Sequence, residues 1–145
     1  MKAILSFFIG LLIYTHVAYA GGSEKQMTMK ISVKTNGNTT VFELNNSPAA
    51  RELYAQLPLS ITVENYSNNE KIFYPPKKLN TSDTPPADGG RAGTLAYYAP
   101  WGDVVMFYKE FSSAPGLYIL GHVSSGREYI PEMSGTIQVE KGSAL

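Results

Sequence analysis

The sequence predicts a mainly β fold, closed or nearly closed into a barrel, with one or two short helices. Three observations carry this. Short segments of strand length, either alternating or continuously apolar, recur from residue 27 to residue 140. Clusters of Gly, Pro, Asn and Asp punctuate them, and only residues 48–57 show helical spacing. Seven or eight short strands with so few helices would leave sheet edges bare, and closure removes those edges.

The elements follow in order. Met1 and Lys2 lead into an apolar run that ends at Ala18-Tyr19-Ala20, the pattern of an export signal with a small-x-small cleavage site. The run falls short of the roughly 20 apolar residues a spanning helix needs. Cleavage after residue 20 is expected, with a periplasmic or secreted product, a disordered leader over residues 21–26 and one domain over 27–141. Residues 27–34 alternate, with Met27, Met29, Ile31 and Val33 on one side. Asn36-Gly37 is a hairpin turn pair, and residues 39–44 return. Ser47-Pro48 starts a helix as cap and first residue, Leu53 and Leu57 mark its buried stripe, and Pro58 ends it. Residues 59–64 alternate as a strand, 65–71 read as a polar turn, and 72–74 form a short apolar piece. Residues 75–93 form a long loop, either a functional segment or a surface excursion. Strands follow at 94–98, 104–108 (continuously apolar, hence central), 117–120 and 136–140. Residues 112–116 read as loop, Gly121 as a bulge or close approach, and 124–126 as a turn.

Composition excludes several classes. Removing 20 of the 145 residues leaves 125, enough for one domain with a core. The chain has no cysteine, so packing and backbone hydrogen bonds hold it without disulfides, and thiol chemistry is absent. Removing Lys2 from 12 basic residues leaves 11 against 12 acidic ones, a formal charge of −1. Neither nucleic acid nor, after cleavage, a membrane is an expected partner. Eight of the ten tyrosines lie between Tyr54 and Tyr129, suiting both a β core and a binding surface.

Several short pieces occur in a shared order: Lys30-Ile31 with its hairpin, the helix before Leu57, the strand from Leu59, Ile72-Phe73-Tyr74-Pro75, Trp101-Gly102-Asp103-Val104, Phe107-Tyr108, Leu120-Gly121 and Met133-Ser134-Gly135. In this the chain resembles the small bacterial cyclophilin-like domains over residues 29–140. The resemblance implies a closed eight-stranded cyclophilin-like β-barrel, in a family mostly without assigned function. True cyclophilins are prolyl isomerases with an arginine in a Phe-His-Arg strand beside an apolar groove. The corresponding strand here, Ile72-Phe73-Tyr74, has neither arginine nor histidine. Their Gly-Gly-Asp-Phe turn is matched only at Gly102-Asp103, with Trp101 and Val104 at its flanks. The resemblance thus implies the barrel without the isomerase arginine.

No catalytic set stands out. His122 has Asp103, Glu128 and Glu132 as metal-ligand candidates, but no ligand spacing joins them. Ser124 and Ser125 adjoin it without a triad pattern. Gly89-Gly90-Arg91 lacks the lysine of a phosphate loop. No catalytic residue, metal or cofactor is expected. The expectation that survives is a groove for a peptide or small molecule, drawn from Phe73, Tyr74, Tyr97, Tyr98, Trp101, Phe107 and Tyr108, with Arg91 or His122 at its rim. Strand alternation forbids Tyr97 and Tyr98, or Phe107 and Tyr108, from both facing the core. The competing account is that the long loop folds over these rings. A nonstandard prolyl isomerase and an assembly role stand as alternatives to a noncatalytic binding module.

Overall fold

The structure, a computed structural model, describes residues 28–142. The expected export signal, cleavage site and leader lie outside the described residues.

The chain forms β1 (Lys30–Thr35), β2 (Asn38–Leu44), helix α1 (Pro48–Ala55), β3 (Leu59–Thr62), β4 (Glu64–Tyr66), β5 (Glu70–Phe73), β6 (Gly89–Gly90), β7 (Thr94–Tyr98), β8 (Asp103–Phe107), β9 (Phe111–Ser112), β10 (Leu117–Ser125), a 3-10 turn (Arg127–Glu132) and β11 (Thr136–Lys141). Nine strands make one antiparallel sheet in the order β3-β11-β1-β2-β10-β7-β8-β5-β4, and β6 pairs with β9 apart from it.

The two ends of that order, β3 and β4, are neighbours in the chain with only Val63 between them. One segment therefore pairs with β11 through its first half and with β5 through its second. The Val63 N–H donates to the Gly135 carbonyl at the switch (2.9 Å). The sheet comes round on itself, and the nine segments reduce to the expected eight when β3–β4 counts as one bent strand.

Local chemistry explains the elements. Asn36 and Gly37 both take positive φ, 51° and 77°, which a tight β1–β2 turn demands. Ser47 is extended at the start of α1, and its hydroxyl accepts the Ala50 N–H (3.3 Å), a cap worth about 1 kcal/mol. The helix buries Ala49, Ala50 and Leu53 against the barrel interior. That interior is filled by Ile31, Val33, Phe42, Leu95, Met106 and Ile137 among others, with Ile130 of the 3-10 turn and Met133 just after it. Each such side chain contributes roughly 1.5–3 kcal/mol by leaving water. A second apolar cluster, Ile72, Ala87, Ala96, Val105, Phe107 and Leu117, lies on the outer face. β8 is buried along its whole length because both of its faces are covered, which is why it is continuously apolar.

Three expectations need correction. Residues 65–71 are no simple turn: they hold most of the β4–β5 hairpin. Glu64, Asn65 and Tyr66 are all exposed, so burial imposes no apolar alternation there. Ser124 and Ser125 extend β10, its exposed end, so the turn is confined to Gly126. Phe111 and Ser112 pair with Gly90 and Gly89 rather than looping freely. The long loop is also fastened. The Leu79 N–H donates to the Tyr97 hydroxyl (3.1 Å), Gln56 exchanges two hydrogen bonds with the Lys77 backbone, and the Ala87 N–H donates to the Leu117 carbonyl (2.8 Å). The stretch Pro85–Ala87 thus runs beside β10 where β2 has ended.

Candidate functional site

Alternation along β8 sends Val104 and Met106 inward and Asp103, Val105 and Phe107 outward. Register then places their outer-face neighbours. Glu70 lies opposite Phe107, Tyr66 opposite Glu70, and Tyr98 opposite Asp103. Together they enclose a cleft of about 270 Å³. Its floor is buried Val105, Phe107 and Leu117; Tyr66 and Trp101 stand at the mouth, 44% and 48% exposed.

The β7–β8 turn aims Trp101. The Trp101 and Gly102 N–H groups both donate to the Tyr98 carbonyl (3.3 and 2.8 Å), and Gly102 takes φ 74° to bring the chain back into β8. The indole then meets Tyr66 and Tyr98 nearly edge-on, with centroids at 5.1 and 5.5 Å and interplanar angles of 86° and 76°. On the far wall, Phe111 stacks on Phe107 at 3.7 Å. Glycine at residue 90 leaves room for that ring: a β-carbon there would come within 2.7 Å of the Phe111 side chain and require the ring to shift.

Two carboxylates face this cleft. Asp103 is 2% exposed, and its Oδ1 has no hydrogen-bond partner. Burial pushes its carboxyl up to about 6, partly offset by a backbone hydrogen bond. Burial also raises Glu70, and the Asp103 charge adds to it. No cation answers them among the described residues. Lys71 lies on the other face, opposite Met106, where its ammonium donates to the Asn65 side-chain carbonyl and is lowered by burial. The one ion pair described, Lys34–Glu140, joins two exposed side chains elsewhere. The cleft can therefore accept hydrogen bonds from a ligand and flank it with three rings. It holds no histidine, serine–base pair or arginine among its lining residues.

The expected groove residues divide among several places. Tyr98, Trp101 and Phe107 come together in this cleft. Phe73 and Tyr97 lie in the barrel interior, Tyr97 spending its hydroxyl on the long loop. Tyr108 packs half-buried against the interior cluster, and Tyr74 is exposed outside the cleft. Arg91 and His122 meet instead in a second, wide-open depression of about 590 Å³ around Gly121. There burial lowers the His122 imidazole, helped by the Arg91 and Arg127 charges. Of each adjacent pair, one ring points inward and one outward, as alternation demands: Tyr97 against Tyr98, and Tyr108 against Phe107. Tyr66, Glu70 and Phe111 were not anticipated, since strand pairing rather than local pattern delivers them. Asp103 had a signal: at i, i+2 and i+4 it shares a face with Val105 and Phe107.

Residues 33–141 match the profile described as the Cyclophilin-like family. No curated protein matches the chain. Among solved structures, it is similar to a hypothetical protein from Archaeoglobus fulgidus, with a TM-score of 0.61 and 17% identity over 83% of this chain and 100% of that one. It is also similar to the Mimivirus cyclophilin, with a TM-score of 0.49 and 12% identity over 79% of this chain and 88% of that one.

Proposed function

The chain belongs to the cyclophilin-like family, and from that premise we propose that it is an exported, noncatalytic binding module whose outer-face cleft takes a small organic molecule or one side chain of an extended peptide. The observation that carries this is the cleft's composition: an apolar floor, a mouth of three rings of which Tyr66 and Trp101 are exposed, and a buried carboxylate with no partner. Apolar walls with a few convergent polar groups are the general character of ligand sites. The volume of about 270 Å³ lies just below that class, which spans roughly 300–1,000 Å³, and so favours a small occupant. Export is supported by the pattern over residues 1–20. An intact mass beginning at Gly21 in protein recovered outside the cytoplasm is the expected result; a mass retaining Met1 or Lys2 contradicts it.

Trp101 is the only tryptophan, so its fluorescence reports this cleft alone. Titration with a fragment set and short peptides is expected to shift Trp101 emission saturably for some members. A flat response across the set removes the binding reading. None of Arg51, Arg91 and Arg127 lines the cleft, so a proline-containing test peptide is expected to isomerise at its uncatalysed rate. Acceleration that survives purification would restore the enzyme reading.

A further inference from the structure

We propose that the cleft is selective for an organic cation bearing N–H donors, an alkylammonium or guanidinium on a short apolar stem, seated between the rings of Tyr66, Tyr98 and Trp101 and the carboxylates of Asp103 and Glu70. The inference rests on the reading of this cleft as a binding site and adds the chemistry of its occupant.

Four observations converge. Asp103 Oδ1 is buried and lacks a donor, and burying an unsatisfied polar atom is costly unless something fills the vacancy in hydrogen bonding. A second carboxylate, Glu70, shares the same cleft and feels the Asp103 charge. An anion entering here would meet two like charges; a neutral apolar ligand would leave Oδ1 unsatisfied; a cation with N–H groups answers both. The rings supply the third element. Tyr66 and Tyr98 stand nearly perpendicular to Trp101 at 86° and 76°, so rings of differing orientation surround one mouth, and an aromatic face within about 6 Å attracts an ammonium group. Finally, no cation among the described residues occupies the position: Lys71 is turned inward onto Asn65, and the Lys78 stem lies along Gly102 without an ion pair to Asp103. The apolar floor of Val105, Phe107 and Leu117 suits the methylene stem of such a ligand.

The titratable groups facing Asp103 are few. Among the described residues they are Glu70 from β5 with Tyr66 and Tyr98 in the cleft; exposed Tyr74, outside it, has its hydroxyl raised by burial and by the Asp103 and Glu64 charges. The carboxyls of Asp103 and Glu70, both raised by burial, set the pH response. Because burial pushes the Asp103 carboxyl up to about 6, affinity for a cation should rise with pH through that value. About tenfold tighter binding at pH 7.5 than at pH 5 is expected, one pH unit below a pKa leaving roughly a tenth of the group ionised.

The test is an NMR titration of the purified protein, following the Trp101 indole and the backbone amides of Asp103 and Ser112. The probes are n-butylammonium, the tripeptide Gly-Lys-Gly with blocked ends, its norleucine counterpart, and calcium chloride alone. Both ammonium probes are expected to move the cleft resonances at least tenfold more tightly than the norleucine peptide. In Asp103→Asn that preference is lost while the norleucine peptide binds as before. Equal strength of butylammonium and the lysine tripeptide assigns the site to free amines; a much tighter tripeptide assigns it to a peptide side chain, and either result supports a cation. If the norleucine peptide binds the cleft as well as the lysine peptide, or calcium binds in preference to both, the proposal falls and the cleft stands. If no probe moves those resonances, both readings fall.

Discussion

Replacing Asp103 with asparagine is expected to stabilise the protein at pH 8 by about 2 kcal/mol, and to cost it about 1 kcal/mol near pH 4, where the carboxyl is already neutral in the fold. The argument is linkage. The Asp103 carboxyl lies at about 6 in the fold against an ordinary 3.8, so between those values the folded state holds a proton that the unfolded state has released. Stability from this group is therefore full below about 3.8 and is lost as pH rises through about 6. At about 1.4 kcal/mol for each pH unit between the two values, the charge costs on the order of 3 kcal/mol on the alkaline side. The amide of asparagine recovers most of that but leaves part of its own hydrogen bonding unmet. Glu70 works in the same direction, since the Asp103 charge adds to the effect of its burial. Urea denaturation at pH 4 and pH 8 checks the claim. A variant no more stable than the parent at pH 8 would show that the carboxylate is already satisfied, and the cleft would lose its chemical signature. A destabilising charge kept in a fold is also the usual mark of a site retained for function rather than for stability.

How much of this was legible in the sequence depends on whether local chemistry or pairing decided the outcome. Asn36-Gly37 and Ser47-Pro48 fix a turn and a helix start through the conformations those residues adopt, and both stand where expected. β8 announced itself by the continuous run Val104-Val105-Met106-Phe107, because a strand covered on both faces admits few polar residues. β4 did not, because its residues are exposed and its place in the barrel comes from pairing with β5 and from chain continuity with β3. The site divides the same way. Strand alternation required one ring of each pair, Tyr97 or Tyr98 and Phe107 or Tyr108, to face outward but did not say which; the burial of the neighbours decides for Tyr98 and Phe107. Tyr66 and Glu70 reach the cleft only through registers that no local pattern encodes. Arg91 and His122 were expected at the aromatic rim, yet His122 pairs across to Glu43 and Thr94, on the far side of the Gly121 irregularity in β10. That places both at a different depression.

Gly121→Ala is expected to cost about 3 kcal/mol or more, among the largest effects any single methyl can have in this barrel. Overpacking a filled interior typically costs about 1–3 kcal/mol, and here the obstruction is backbone. A β-carbon at Gly121 would lie 2.1 Å from the Glu43 carbonyl oxygen and 3.0 Å from both the Glu43 carbonyl carbon and the Leu44 α-carbon. No rotamer change relieves that contact, so β2 and β10 must separate. Gly121 pairs with Leu44 on one side and Leu95 on the other, next to a register shift, so separation disturbs both neighbours. Gly135→Ala is the control. Its φ of 68° is unfavourable for alanine but nothing lies within 4 Å of the added carbon, so only the roughly 1–2 kcal/mol left-handed penalty applies. Urea midpoints for the two variants should differ accordingly, and equal midpoints would refute the close approach. The same variant links fold to site. β10 holds Leu117 opposite Tyr98 on β7, and Tyr98 holds Trp101, so loosening β10 is expected to shift Trp101 emission even where the variant is still folded. Unchanged emission in a folded Gly121→Ala protein would mean that the cleft is built by the β7–β8 hairpin alone.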